Sequence, residues 1–460
     1  MNKNIVIAAG ILSLLITSFF VVGVKAQSQT SSASASFDVI NYAAQIEPDM
    51  PNKAVKGKVS IQFVSLVNNL REIQLNAGVL ELDAVRENKI ALNFEKKDGI
   101  LIVSFRRPGK LNEKRQIEID YHGIPKSGIR VFSEQNQIYT VFSTSQWMPC
   151  VDAPSDRATF RLNLITPKDL KVVGNGRFIK QSVLPDNKIS TVWEQKTPIP
   201  TYTFGFAAGN FREVWENHKG VKLRYLASPQ FSENEIKRIF RDSADMLDFF
   251  ESKAGVKYPD KEYTQILATG GGQQEMSGFA AMNDEYGRGV LENERENWLS
   301  AHEFSHQWWG NMVTNLDWNH FWLNEGMATF MVAAYKEHRF GRAEYLKEIE
   351  KLRVRYERVR DADKDKSLVF PDWNSPSRED RSLVYNKGGY VLHLLREEMG
   401  EQAFWKGLKE YTRKYWGKSV TTEDFQQAMQ AASNKNLTAF FNKWVYLLDK
   451  EETDLDARHQ

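Results

Sequence analysis

"LSAHEFSHQWWGN", residues 299–311, sets two histidines four positions apart, with a glutamate directly after the first. An α-helix turns about 100° per residue, so His302 and His306 fall on one face, one turn apart. Both imidazoles can reach one zinc ion at about 2.0–2.1 Å. Glu303 lies beside that face, placed to hydrogen-bond a water at the metal without ligating it. This H-E-x-x-H pattern fixes only three positions and also occurs in helices that hold no metal. A catalytic zinc takes three protein ligands and keeps one position open, so the pattern needs a third donor.

Glu325 is the candidate. It stands in "FWLNEGMATF" (321–330), with 18 residues between it and His306, which is room for a loop and an antiparallel return helix. Trp322, Leu323, Met327, Ala328 and Phe330 surround it with apolar material, where a carboxylate needs a partner. Between the ligands, Asp317 is a candidate to accept an N–H from a ligating imidazole. His320 reads as an ordinary packed or solvated histidine.

Outward from this segment the chain divides by periodicity. Residues 1–26 carry Lys3, an uncharged apolar run from Ile5 to Val24, and a small-residue site ending at Ala26. This reads as a secretory signal peptide, or as an uncleaved anchor, since the run is long enough to span a bilayer. The protein is therefore expected outside the cytoplasm, secreted or tethered through residues 5–24. Residues 27–36, "QSQTSSASAS", read as a flexible linker. From 37 to 213, β-branched and aromatic residues recur at every second position between turn dipeptides such as Asn-Lys, Asp-Gly and Pro-Gly, predicting an antiparallel β-sheet domain. From 214 to 448 the period becomes helical. The stretch 232–255 opens on Ser232 and Glu235, a capping-box pair, and further helices are expected over 293–313, 322–339, 342–360, 383–399, 401–414, 421–432 and 437–448. "EYTQILAT" (262–269) reads as a strand. Residues 449–460 form a charged tail. The fold class is α+β.

Composition narrows the function classes. The 460 residues are 42% hydrophobic and 26% charged, as in ordinary globular proteins. Without residues 1–26 the chain has 59 basic and 59 acidic residues. Such balance does not suit nucleic acid or an anionic membrane held by bulk charge. Cys150 is the single cysteine, so no internal disulfide can form, and it reads as a small buried apolar residue.

The motifs together resemble the gluzincin zinc aminopeptidases of the membrane alanyl aminopeptidase (aminopeptidase N) type. "HEFSHQWWGNMVT" is similar to that family's HELAHQWFGN-V-T helix, followed by glutamate after the same 18-residue gap. "QWMPCVDAPSDRATFRLNL" (146–164) resembles its WFPCFDEPS-KATF segment, with Ala153 in place of an acid. "PTYTFGFAAGNF" (200–211) resembles the end of its β-domain. The resemblance runs from about 37 to 447 and implies a thermolysin-like, mainly helical catalytic domain with a small sheet. It implies one zinc per chain on His302, His306 and Glu325, with Glu303 as general base. It also gives Tyr385, in "LVYNKGGYVLHLL" (383–395), the role of a donor to the developing oxyanion; a phenol of pKa near 10 keeps its proton at neutral pH.

"QQEMSGFAAMN" (273–283) falls where the family has its G-A-M-E-N-W-G loop, and Gly272, Glu275 and Gly278 match in register. The resemblance gives Glu275 the grip on a substrate's free α-ammonium and places Gln274 in the same substrate-binding loop. Gln274 and Met276 stand where the family has methionine and asparagine. Family members usually continue into a long helical C-terminal domain; here the chain ends soon after "FFNKWVYLL", so a more open site is expected. The implied activity is zinc-dependent removal of N-terminal residues from peptides with a free amino end. The alternatives are a zinc endopeptidase with an open cleft and a non-catalytic surface protein that binds peptides.

Overall fold

The structure, a computed structural model, describes residues 36–370 and 376–447. The expected signal peptide or anchor, nearly all of the linker and the charged tail lie outside these residues. Among the described residues no helix is long and apolar enough to cross a membrane.

The first half is built from strands, as the alternation predicts. Ala54–Ser65 buries Val55, Val59, Ile61 and Phe63, and Arg157–Pro167 buries Ala158, Phe160, Leu162 and Leu164. Every second side chain thus enters one core, which is what a pleated strand with one covered face requires. Eight strands form the main sheet, in the order Arg177–Leu184, Lys188–Pro200, Arg157–Pro167, Phe37–Asp49, Ala54–Ser65, Lys114–Gly123, Glu81–Glu87 and Ile90–Ala91. One pair departs from the antiparallel expectation: Phe37–Asp49 runs parallel to Arg157–Pro167. A three-stranded and a four-stranded sheet pack with it. Two of the predicted turns are two-residue hairpin loops. Asn88-Lys89 and Asp98-Gly99 all have positive φ, the geometry that matches strand twist. Pro108-Gly109 instead ends the strand Ile100–Gly109. Cys150 is free and fully buried.

Sheet membership changes at Arg212. Arg212–His218, Val221–Ala227, Glu262–Ala268 and Phe279–Asn283 form a separate four-stranded sheet, whose last three strands run parallel. Helices follow it. The stretch 232–255 makes two helices, Glu233–Ile239 and Ser243–Ala254, and the Ser232–Glu235 capping box is formed. The helices Trp322–Phe340, Arg342–Arg360, Glu401–Lys414 and Thr422–Ser433 lie within a residue of the expected ranges.

Three ranges differ. Over 293–313 only Trp298–Ser305 is α-helical, over 383–399 the first turn widens to a π-helix at Leu383–Lys387, and over 437–448 the α-helix covers only Thr438–Phe441 before a π turn at Asn442–Tyr446. The first two departures lie at the site.

Candidate metal centre and cleft

The histidine helix stops at Ser305 because His306 needs the chain to turn. Its Nδ1 lies 3.0 Å from the Trp309 carbonyl oxygen, which a continuing helix would carry away. Gly310 makes the turn with φ 134°, and a Cβ there would sit 2.7 Å from His306 Nδ1. The Trp309 indole donates to Thr412 Oγ1 at 2.9 Å and anchors the turn.

With Nδ1 donating to that carbonyl, His306 Nε2 carries the lone pair. It faces His302 Nε2 at 3.1 Å; Glu325 Oε2 lies 3.3 Å from His302 Nε2 and 3.5 Å from His306 Nε2. Ligands about 2.0–2.1 Å from a tetrahedral zinc stand about 3.3–3.4 Å apart. The three atoms form that triangle, and all three side chains are buried. Glu325 enters from the first turn of the helix Trp322–Phe340.

A second group meets this one. Carboxylate oxygens of Glu275 and Glu303 and a ring nitrogen of His306 lie within 4.8 Å of one another. Among the described residues, Glu275 Oε1 and Glu303 Oε2 are buried without a hydrogen-bond partner, although both residues line the cleft. An orphaned buried carboxylate oxygen is costly unless a ligand completes it. Burial pushes the Glu303 carboxyl well above its ordinary range and Glu275 up to about 7. Burial lowers His302. Burial would also lower His306, but Glu325, Glu275 and Glu303 outweigh it and hold its proton up to about 10. Glu325 is held down to about 2, His306 overcoming its burial. Three acids thus compete for one proton on an imidazole, and the pocket is short of positive charge. A divalent cation fits both the donor set and the deficit.

Tyr385 lies in the π-helical turn, its ring stacked on His302 with centroids 5.9 Å apart and planes 14° apart. Burial, with the carboxylates of Glu325, Glu275 and Glu303 adding to it, raises the phenol well above its usual pKa, so it stays a donor.

The glycine loop takes positive φ at Gly270, Gly272 and Gly278. Gly272 and Glu275 line the cleft. Gln274 does not. Its amide nitrogen donates to the Tyr202 carbonyl at 3.1 Å and its amide oxygen accepts from the Phe142 N–H, so its side chain ties the loop to the β-domain instead of facing substrate. Gly278 is likewise structural, its N–H donating to Gln307 Oε1 at 2.9 Å. Asp317 does not orient an imidazole; it accepts from the Asn319 N–H at 2.9 Å and caps a short turn, and the Trp309 carbonyl serves His306. His320 is half-buried and hydrogen-bonded to Thr422 Oγ1 at 2.9 Å.

Two positioning residues escaped the sequence reading. Asn311 Nδ2 donates to the Glu275 carbonyl at 3.0 Å, and Gln307 Nε2 donates to the Met276 carbonyl at 3.2 Å. Both belong to the same "HQWWGN" run as His306, so one segment places the metal ligand and the Glu275 loop. Tyr202 was missed too; its hydroxyl donates to the Gly310 carbonyl at 3.0 Å and accepts from Asn324 Nδ2 at 3.1 Å. Tyr202, Glu275, Glu303, Tyr385 and the three candidate ligands border a cleft of about 1920 Å³ between the β-domain and the helices.

The profile of the Peptidase family M1 domain matches residues 240–444, and that of the Peptidase M1 N-terminal domain matches residues 39–203. The chain belongs to the M1 peptidase family. Among M1 relatives, Aminopeptidase M1-B of Oryza sativa subsp. japonica is 26% identical over 442 residues, covering 88% of this chain and 49% of that one. Aminopeptidase N of Lactococcus lactis subsp. lactis is 26% identical over 448 residues, covering 89% and 51%. The chain spans about half the length of these curated M1 relatives. The M1 zinc metallopeptidase of Deinococcus radiodurans shares the fold, with TM-score 0.76 at 22% identity over 90% of this chain and 94% of that one. A mutant of that M1 enzyme has been solved bound to a Tyr-Ser-Ala substrate.

Proposed function

We propose that this protein is an exported zinc aminopeptidase that hydrolyses the first peptide bond of peptides with a free amino end. One observation carries the reading: a buried carboxylate oxygen of Glu275, Oε1, stands without a hydrogen-bond partner among the described residues, beside the metal triad. Fully ionised, Glu275, Glu303 and Glu325 would bring three negative charges to the pocket. A divalent cation and one α-ammonium balance them, and a chain without the ammonium leaves Glu275 buried and unpaired.

His302, His306 and Glu325 would hold the zinc. When bound, it supplies a Lewis acid that lowers the pKa of a water and polarises a carbonyl oxygen. Glu303 takes the proton of the attacking water on its raised carboxylate and returns it to the leaving amine. Tyr385 donates its phenolic hydrogen bond to the oxygen on which charge develops. Glu275 fixes the amino end, so that the first carbonyl is the one presented.

We take residues 37–213 as the scaffold domain and 214–448 as the catalytic one, with residues 1–26 as an export signal or, through 5–24, a membrane tether. The N-terminal residue of the protein recovered from cells tests cleavage after Ala26. The activity is tested by comparing a free peptide with its Nα-acetylated form, using Glu303→Gln as the inactive control. The free peptide should be cut at least 100-fold faster. Equal cleavage of both would establish the endopeptidase that a cleft of this volume also admits.

A further inference from the structure

The helix Arg342–Arg360 forms one wall of the cleft. It runs back along the glutamate helix Trp322–Phe340, and the Lys336–Glu348 ion pair, 2.7 Å, sets their register. Thr329 therefore stands about level with Arg355, and Gly326 with Arg358. A rise of about 1.5 Å per residue puts Arg355 roughly one helical turn from Glu325 along the axis. The segment that carries Tyr385 joins the same wall, since Lys387 Nζ lies 5.5 Å over the Tyr356 ring. Arg381 and Arg378 precede Tyr385 by four and seven residues, on one helical stripe with it.

Arg355, Arg358, Arg378 and Arg381 all line the cleft. Among the described residues, none of the four guanidinium groups makes a hydrogen bond or ion pair. This is not because acids are scarce. Arg353 pairs with Glu350 at 2.7 Å and with Glu357; Glu379 pairs with Lys364 at 2.7 Å and Asp380 with Lys366 at 2.5 Å. Local acids are already taken, and four guanidiniums face the cleft uncompensated. They also lie on a particular side. Glu275 groups with Glu303 and His306, whereas Tyr385 stacks on His302. A peptide whose ammonium meets Glu275 therefore crosses the metal and heads toward the arginines.

We propose that Arg355, Arg358, Arg378 and Arg381 form a carboxylate anchor for the leaving-group end of short peptide substrates. The inference rests on the orientation given by the aminopeptidase reading. Guanidinium suits this task because its fork of N–H donors matches a carboxylate in two-point geometry. The carboxylate is the peptide's own C-terminus or an acidic side chain beyond the scissile bond. A short peptide is thereby held at both charged ends.

The test is calorimetric binding to zinc-loaded Glu303→Gln protein, which retains the cleft without turnover. The ligands are Leu-Gly-Gly, its C-terminal amide, and the amide of Leu-Gly-Glu. The free acid should bind about tenfold tighter than Leu-Gly-Gly amide, with the preference shrinking as salt is raised. In an Arg355→Gln, Arg381→Gln double variant of that protein the acid-to-amide ratio should fall toward one. Tight binding of Leu-Gly-Glu amide would support the anchor and assign it to side-chain carboxylates as well. Equal binding of acid and amide, or a ratio that survives in the double variant, overturns it. Turnover of an aminoacyl anilide by the wild-type protein reads the other question separately. Turnover without any acid preference in binding sinks the anchor alone. A preference for the acid without turnover keeps carboxylate binding by the arginines but sinks the aminopeptidase reading and, with it, the leaving-group role.

Discussion

His306 donates from Nδ1 to the Trp309 carbonyl at 3.0 Å, and its other nitrogen faces His302 Nε2 at only 3.1 Å. Two imidazole lone pairs at that separation repel unless a proton or a metal ion lies between them, and Glu325 completes the triangle around the same point. Metal and fold are therefore coupled. Because the ion binds the folded state alone, it stabilises in proportion to its affinity. Removal of zinc by a chelator should lower Tm by about 5 °C or more, and re-addition should restore it. A melting curve indifferent to chelator would mean that this triangle takes no ion.

Tyr385 is tied to the same ligand through its ring, stacked on His302. Replacing it by phenylalanine keeps the stack and removes only the hydroxyl. The loss should fall on the step in which the oxyanion forms. Tyr385→Phe is expected to lower kcat by about 10²–10³-fold with KM and zinc content little changed. Steady-state kinetics together with metal analysis check this; a KM defect alone would give the tyrosine a role in binding instead.

How much of this was legible in the sequence depends on the kind of relation involved. His302 and His306 share one helical face and Glu303 adjoins it, so local periodicity was enough to propose them. Glu325 needed a spacing argument and an apolar setting. Tyr385 and Glu275 come from distant segments, and nothing local distinguishes Tyr385 from fifteen other tyrosines; only family resemblance singled them out. Gln274 was misassigned because neighbouring loop residues point in different directions, and a linear motif does not say which way. The end of the histidine helix was misplaced for a related reason: a side-chain demand, the Nδ1 contact of His306, overrode helical propensity.

Two acids in "DAPSD", buried Asp156 and half-buried Asp152, make stability depend on pH. Tyr42 donates to Asp156 Oδ2 at 3.1 Å, and burial raises the Asp156 carboxyl well above its ordinary value; Asp152 is raised by burial as well. A carboxyl raised in the folded state contributes stability that is fully present below its unfolded pKa, near 3.9, and lost as pH climbs through the folded value. Asp156→Asn keeps an acceptor for Tyr42 and cannot ionise. Its Tm relative to wild type should therefore improve between pH 4 and pH 8. A constant difference across that range, measured by thermal melts in matched salt, would remove Asp156 from the pH response.

The distance between the glutamate helix and the tyrosine segment is set by two glycines. A Cβ on Gly326 would lie 2.9 Å from the Gly388 Cα and carbonyl carbon, and one on Gly388 would lie 2.9 Å from the Gly326 Cα. Each glycine adjoins a site segment: Gly326 follows Glu325, and Gly388 lies three residues after Tyr385. The obstacle is backbone and not the tip of a flexible side chain, so the helices must part to admit a methyl group. Gly326→Ala should cost about 1–3 kcal/mol in denaturant unfolding and should also reduce kcat, because parting the helices moves Tyr385 away from the metal. Gly289→Ala is the matched control. It also lies within a helix, has no described atom within 4 Å of its Cβ position apart from its chain neighbours and its own helix backbone, and should leave activity unchanged with stability equal or slightly higher. A Gly326→Ala protein that is destabilised but fully active would separate helix packing from placement of the tyrosine.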